Sequence, residues 1–297
     1  DLFCHRRVFA RSHFVPRAEP SRGDQTVGKT MSKPLSALAL AVVTGCLGAA
    51  AHAECPPPSS ILATLDELDL AAAARTQAFD LQPPKTLYER ATDKPGKVIV
   101  KNDGKLGQAV LLTDLPIEAL WMAVNDEDHY AQDGYLPVLH SEVIDGIPRG
   151  EERVLFQYFK RAGVGRWWVD RVEMSQELFL ESDTMLWELR WWDLMETRTL
   201  ESLPADRAQE LTRLGLSPIR ASRGAWLMIP LDTECTLVEY VTYSDPGGFL
   251  SFAQILGAGR VIRDTLEGVE RLAREHIPEP HADARFVRPD GIAIDAP

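Results

Sequence analysis

The chain has 297 residues, of which 45% are hydrophobic, 26% charged and 8% aromatic. That composition excludes a collagen-like, low-complexity or wholly disordered protein. Lys and Arg number 32 against 44 Asp and Glu, a net charge of −12, which speaks against nucleic acid as a partner because its recognition needs clustered positive charge. Four cysteines without a CxxC pair speak against a zinc ribbon or a thioredoxin-like centre. Neither a metal nor a cofactor is expected.

Residues 1–30 are Arg-rich and patternless and are read as an upstream or unstructured extension. From Met31 the character changes: Lys33 supplies a short basic segment, Leu35 to Ala51 is apolar, and Ala51-His52-Ala53 offers the small residues a signal peptidase accepts. Residues 31–53 therefore read as a secretory signal peptide, and the product is expected to be secreted or periplasmic. Val43-Thr44-Gly45-Cys46 also resembles a lipobox, which would leave a membrane-anchored lipoprotein acylated at Cys46. Cleavage after Ala53 leaves Cys55 and Cys235. They either pair across a long loop or remain two free thiols, and the second reading is adopted because Cys55 sits on a terminus beside three prolines.

Residues 54–277 read as one α+β domain, followed by a Pro-, Asp- and His-rich tail, 278–297, expected to be loosely held. Ile61 to Phe79 has helical spacing, with Ser59 or Ser60 as cap. Val98 to Val100 and Gln108 to Leu112 flank Asn102-Asp103-Gly104, a hairpin signal. Pro116 opens a helix with Ile117, Leu120, Trp121 and Val124 on one face, closed by Asp126-Glu127-Asp128 as a solvated end. From Ser141 onward, period-two segments follow, among them Val154 to Phe159, Trp168 to Met174, Met185 to Trp191, Ile219 to Ile229 and Thr236 to Tyr243. A short helix interrupts them at Pro204 to Leu214. A long helix from about Phe252 to His276 closes the domain, with Ile255, Ile262, Leu266, Val269 and Ala273 as its buried stripe. Consecutive strands with short turns make a curved antiparallel sheet, and the long helix is the element left to cover its concave side.

Three segments near the end carry a resemblance: Arg223 to Pro230 (RGAWLMIP), Thr236 to Tyr240 (TLVEY), and Ser244 to Leu250 (SDPGGFL). Together with Arg166-Trp167-Trp168-Val169 they resemble the steroidogenic-acute-regulatory-related lipid-transfer (START) family, over roughly residues 61–277. Ser251 stands where that family commonly has proline, and the connection from Thr197 to Pro218 is longer than usual. The resemblance implies a helix-grip fold, a sheet wrapped around the C-terminal helix with an apolar cavity for one lipid-sized molecule. With the signal-peptide reading, the expected function is an exported carrier or sensor of a phospholipid, sterol-like or fatty acyl ligand, a monomer in transient contact with a membrane.

On the period-two pattern Phe156, Tyr158, Trp168 and Trp187 are expected to face the cavity. Phe249, Phe252 and Ile255 are expected near the helix mouth, and Gly259 where the helix is approached closely. Glu239 and Tyr240 complete the expected ligand-binding set. Glu239, and Asp170 between Trp168 and Val172, are the candidate cavity carboxylates; buried, either needs a raised pKa or a partner such as Arg171, Arg190 or Arg223. For Glu239 a cross-strand ion pair on the convex face is weighed above a cavity role. No G-x-S-x-G elbow, Cys–His pair or phosphate loop is present, so no catalytic residue is assigned. Two alternatives to the carrier stay open: an aromatase/cyclase-like enzyme of the helix-grip superfamily using a cavity carboxylate, and a non-catalytic envelope interaction module whose interior is filled by its own side chains.

Overall fold

A computed structural model describes residues 55–68, 83–161, 164–247, 251–275 and 285–294. Residues 1–54, with the signal-peptide and lipobox readings, lie outside them, as does the second half of the first expected helix. Among the described residues no helix is long and apolar enough to cross a membrane.

Nine strands form one sheet in the order β1-β2-β9-β8-β6-β5-β4-β3. They are β1 (Ile99–Asp103), β2 (Leu106–Thr113), β3 (His140–Gly146), β4 (Glu152–Arg161), β5 (Val164–Met174), β6 (Trp187–Asp193), β7 (Ser217–Pro218), β8 (Ala221–Pro230) and β9 (Thr236–Asp245). Every pairing is antiparallel except the two-residue β7, which runs parallel to β5. The β1–β2 hairpin turns at Gly104-Lys105, with Gly104 at φ +64°, one residue beyond the expected position.

Helix α1 (Pro58–Glu67) starts at a proline whose fixed φ suits the first helical position, and Pro57, not a serine, occupies the cap. Its buried residues Ile61 and Leu65 lie four apart, on one face. With α2 (Lys85–Thr92), which buries Leu87, Tyr88 and Ala91, α1 covers the convex side of β1, β2, β8 and β9. Helix α3 (Ile117–Val124) is apolar nearly all round and accordingly buried at seven of its eight residues. The six-residue α4 (Gln176–Glu181) was not expected from the sequence. Helix α5 (Ala205–Leu214), ended by Gly215 at φ +66°, packs Leu211 and the preceding Leu203 on Phe156, Tyr158, Trp167 and Val169. The long connection is therefore a cover for the convex face of β4 and β5.

The concave face is closed by α3 and by α6 (Ser251–Glu275), whose Ile262, Leu266, Val269, Leu272 and Ala273 are buried in the main core. Two glycines set how closely its surroundings approach. A Cβ at Gly107 of β2 would collide with Ile262, and one at Gly268 with the carbonyl of Tyr135. Gly259, singled out in the sequence, has only ordinary clearance from Val100 and Asn102.

Two expectations need correction. Residues 285–294 of the tail are docked: Phe286 is buried in the concave core, and Val287 O accepts the Trp121 indole N–H at 2.8 Å. Cys55 and Cys235 form a disulfide, with Cα atoms 5.5 Å apart. It fixes the start of α1 to the turn between β8 and β9, so the segment beside the prolines is anchored.

Candidate functional site

Between the sheet and α6 lies a cavity of about 310 Å³, a volume that suits a small ligand. Its β4 wall is Leu155, Gln157 and Phe159, and its β5 wall Arg166, Trp168, Asp170 and Val172. Leu189 and Trp191 of β6, Ser222 and Trp226 of β8, and Tyr240 of β9 continue the surface, and Ala258, Val261, Ile262 and Thr265 of α6 face it. Aromatic contacts stiffen this wall. Tyr240 stacks on Trp191 at 5.7 Å between centroids and meets Trp226 at 4.4 Å. Gly224, paired with Trp191, leaves room for that indole, since a Cβ there would collide with it.

Of the residues expected to face inward, Trp168 and Tyr240 line the cavity. Phe156 and Tyr158 do not; they point to the convex face under α5. On β4 the member facing the cavity between Leu155 and Phe159 is the polar Gln157, whose Oε1 accepts the Trp168 indole N–H at 3.2 Å. A strand covered on both faces shows no polar side from which to read its parity. Trp187 is on the cavity side of β6 but is packed away between Trp121 and Phe179, at 5.5 and 5.9 Å. Glu239 faces the convex layer, where it accepts the Tyr88 hydroxyl. Neighbours on a strand point to opposite faces, so Glu239 and Tyr240 cannot share one site. The side chains of Phe249, Phe252 and Ile255 lie outside the described residues. Gln157, Trp191 and Trp226 were missed, although Trp191 shares the parity of Trp187 and Leu189.

Asp170 is the carboxyl in this wall. It is 3% exposed, and its Oδ2 accepts the Ser222 hydroxyl at 3.1 Å while the buried Oδ1 has no hydrogen-bond partner. The arginines considered as partners are engaged elsewhere: Arg171 with Glu152, Arg190 with Glu173, Arg223 over the Tyr243 ring. Burial pushes the Asp170 carboxyl well above its ordinary range; the Ser222 bond opposes this weakly and nearby Asp193 adds to it. Burial likewise pushes the Tyr240 phenol up to about 12. A carboxyl raised on folding holds its proton in the native state when the unfolded chain has already released it. Its contribution to stability therefore falls as pH rises from the unfolded value towards the folded one. Asp170→Asn, which cannot ionise, should lose less stability than the wild type between pH 4 and 8. The gap should widen with pH to about 1–3 kcal/mol, as read from urea unfolding at a series of pH values.

At one end of the cavity Glu127 and Tyr130 join the lining. Of the acidic segment after α3, Asp128 is exposed as expected, but Asp126 and Glu127 are buried. Glu127 is 3% exposed and pairs with the buried Arg153, and Asp126 is held by Arg149 at 2.5 Å and His129 at 2.7 Å. Among the described residues no cluster of His, Cys, Asp or Glu is arranged to hold a metal.

Of the DPGG run, Asp245 to Gly247 are described, and Pro246 borders the cavity. Asp245 pairs with Lys105 at 2.7 Å and accepts Gly247 N–H at 3.0 Å, Gly247 has φ +67°, and Arg166 donates to the carbonyls of Pro246 and Gly247 at 2.7 and 3.3 Å. The Lys105 bond holds the Asp245 carboxyl below its usual range. Helix α5 lies on the other face of the sheet.

The sheet and its closing helix make a helix-grip arrangement, shown by the chain's own topology. No known family's sequence profile matches the chain, and no curated protein matches it by sequence. Solved structures to which it is similar include the STAR-related lipid transfer protein from Xanthomonas axonopodis, 16% identical with a TM-score of 0.47, covering 60% of this chain and 93% of that one. Human StAR-related lipid transfer protein 5 is 13% identical with a TM-score of 0.46, covering 73% of this chain and 98% of the other. The Zhui aromatase/cyclase from a Streptomyces species is 15% identical with a TM-score of 0.39, covering 57% and 96%.

Proposed function

We propose that the protein is an exported carrier or sensor that holds one hydrophobic molecule in the concave cavity. The observation that carries this reading is the open, largely apolar interior of about 310 Å³, where a compact α+β domain of this size would ordinarily be packed solid. Each methylene moved from water into such a space gains about 0.8 kcal/mol, so an acyl chain or ring skeleton needs few polar contacts to bind. An open interior also weighs against the module filled by its own side chains. Export is supported by the Cys55–Cys235 disulfide, since such bonds persist in oxidising compartments. N-terminal sequencing of the exported protein distinguishes a start at Glu54 from an acylated Cys46.

Exchange of the ligand proceeds by opening at the DPGG turn, with the protein acting as a monomer in brief contact with a membrane. Native mass spectrometry after mild extraction tests the carrier reading, with one small hydrophobic adduct per chain as the expected result. Val172→Phe, which puts a ring into the cavity from β5, should lower uptake at least tenfold while the far-UV spectrum stays native. Undiminished loading of that variant counts against the cavity as the site.

The buried Asp170, its carboxyl pushed well above its ordinary range, also favours a second reading, an aromatase/cyclase-like enzyme with Asp170 as general acid. Among the described residues no histidine or cysteine lines the cavity to serve as its partner, and the carrier is therefore preferred. Turnover of a polyketide-like substrate that is lost in Asp170→Asn would reverse that preference.

A further inference from the structure

The cavity wall is uneven in its chemistry, and the unevenness selects among hydrophobic guests. Most of the lining is aliphatic or aromatic, and its polar groups are largely committed. Gln157 bonds to Ser141 and to the Trp168 indole, Thr265 bonds to Val261 O, and the Tyr130 hydroxyl donates to Val124 O at 2.5 Å. The two cations among the described lining residues are committed as well: Lys105 to Asp245 and Arg166 to the carbonyls of Pro246 and Gly247. Among the described lining residues, Asp170 alone combines near-complete burial with an oxygen that has no partner.

We propose that the guest carries an uncharged oxygen head, a hydroxyl or a carbonyl, and that Asp170 is the group that holds it. The proposal rests on the carrier reading and deepens it. Because Oδ2 is taken by the Ser222 hydroxyl, the acid proton belongs on Oδ1, and Oδ1–H is then a hydrogen-bond donor on the cavity wall. A ketone oxygen accepts from it, and an alcohol can accept from it or donate to it. Among the described residues a carboxylate or phosphate head meets no uncommitted cation there and faces Asp193 as well, which pairs with Asp170 in register and accepts Ser222 N–H at 2.9 Å. An ammonium head would require Asp170 to ionise in a buried site, with the desolvation cost that a buried ion pair carries. The other groups facing Asp170 are uncharged at neutral pH: Leu155 across on β4 and the Tyr240 phenol on β9.

The test is displacement of the neutral probe N-phenyl-1-naphthylamine from the full exported chain by ten-carbon ligands that differ in their heads: 1-decanol, 2-decanone, decanoate and decylamine. The alcohol and the ketone should displace the probe at about tenfold lower concentration than the two ions, the size of one buried hydrogen bond. Asp170→Leu should erase that gap, and Asp170→Asn, a neutral hydrogen-bonding replacement, should keep it. In the wild type the preference for 2-decanone should fade as rising pH removes the Oδ1 proton, while the alcohol, which can donate to the carboxylate, persists. In Asp170→Asn both should be insensitive to pH. Decanoate or decylamine binding best, or a gap that survives Asp170→Leu, overturns the inference and leaves the carrier standing. If neither the probe nor any ten-carbon ligand binds, the carrier reading falls and takes the inference with it.

Discussion

Replacing Arg153 by alanine should destabilise the protein by about 3–5 kcal/mol, the cost of leaving one member of a buried ion pair without the other. Arg153 is 1% exposed. Its guanidinium donates to Glu127 from Nε at 2.8 Å and again from Nη2, to Asn125 Oδ1 at 2.8 Å and to Gly150 O at 2.8 Å. It thus ties β4 to the segment that follows α3. Glu127 is pushed above its ordinary range by burial, against the pull of Arg153, so without that pull its charge is more costly still. The sign follows from the proton balance. Glu127 in the variant takes up a proton more readily than in the unfolded chain, so the penalty should shrink as pH falls towards the unfolded value near 4. The double variant Arg153→Met with Glu127→Gln removes both charges and should recover most of the loss. Urea unfolding of the three proteins at pH 5 and 8 reads the whole pattern; a penalty below about 1 kcal/mol for Arg153→Ala would show that the pair is not buried as described.

Loss of the Cys55–Cys235 disulfide should cost about 2–5 kcal/mol. The bond spans 180 residues, and in the chain-entropy account a loop of that length restricts the unfolded chain strongly. The loss should begin locally. The bond holds the start of α1, and α1 contributes only Ile61 and Leu65 as fully buried contacts to the convex layer. Amides of α1 should therefore exchange first in Cys235→Ser, while the β8–β9 hairpin stays protected. Mass spectrometry of a digest made without reductant should recover the Cys55- and Cys235-containing peptides as one species. Recovery of two free-thiol peptides from native protein would contradict the arrangement.

The elements were readable because their periods were clean. The stripe Ile262, Leu266, Val269 and Ala273 gives α6, and Asp245-Pro246-Gly247, with Gly247 at φ +67°, turns the chain away at the end of β9. The direction in which strand residues point was not readable in the same way. Alternation gives two faces but not which is inside, and here both faces are covered, by α1, α2 and α5 on one side and by α3 and α6 on the other. The period-two pattern points Phe156 and Tyr158 inward, but the opposite parity, Leu155, Gln157 and Phe159, faces the cavity. The wall uses Gln157 because its amide can satisfy the Trp168 indole. Glu127 was misread for a related reason. An acidic run after a helix is normally solvated, and its neutralising partner, Arg153, lies 26 residues further along the chain. The fate of Cys55 likewise depended on where a distant hairpin turn arrives. Local pattern carries elements; partners distant in sequence carry burial.

The most direct test of the central claim is photo-crosslinking with a diazirine-bearing 1-decanol, mapped by peptide mass spectrometry. Labelling at one molecule per chain, confined to cavity residues such as Val172, Leu189, Trp191 and Ile262 and competed away by unmodified 1-decanol, is the expected result. Labels on the convex layers around Leu211 or α1, or scattered substoichiometric labelling that 1-decanol does not compete, would contradict it.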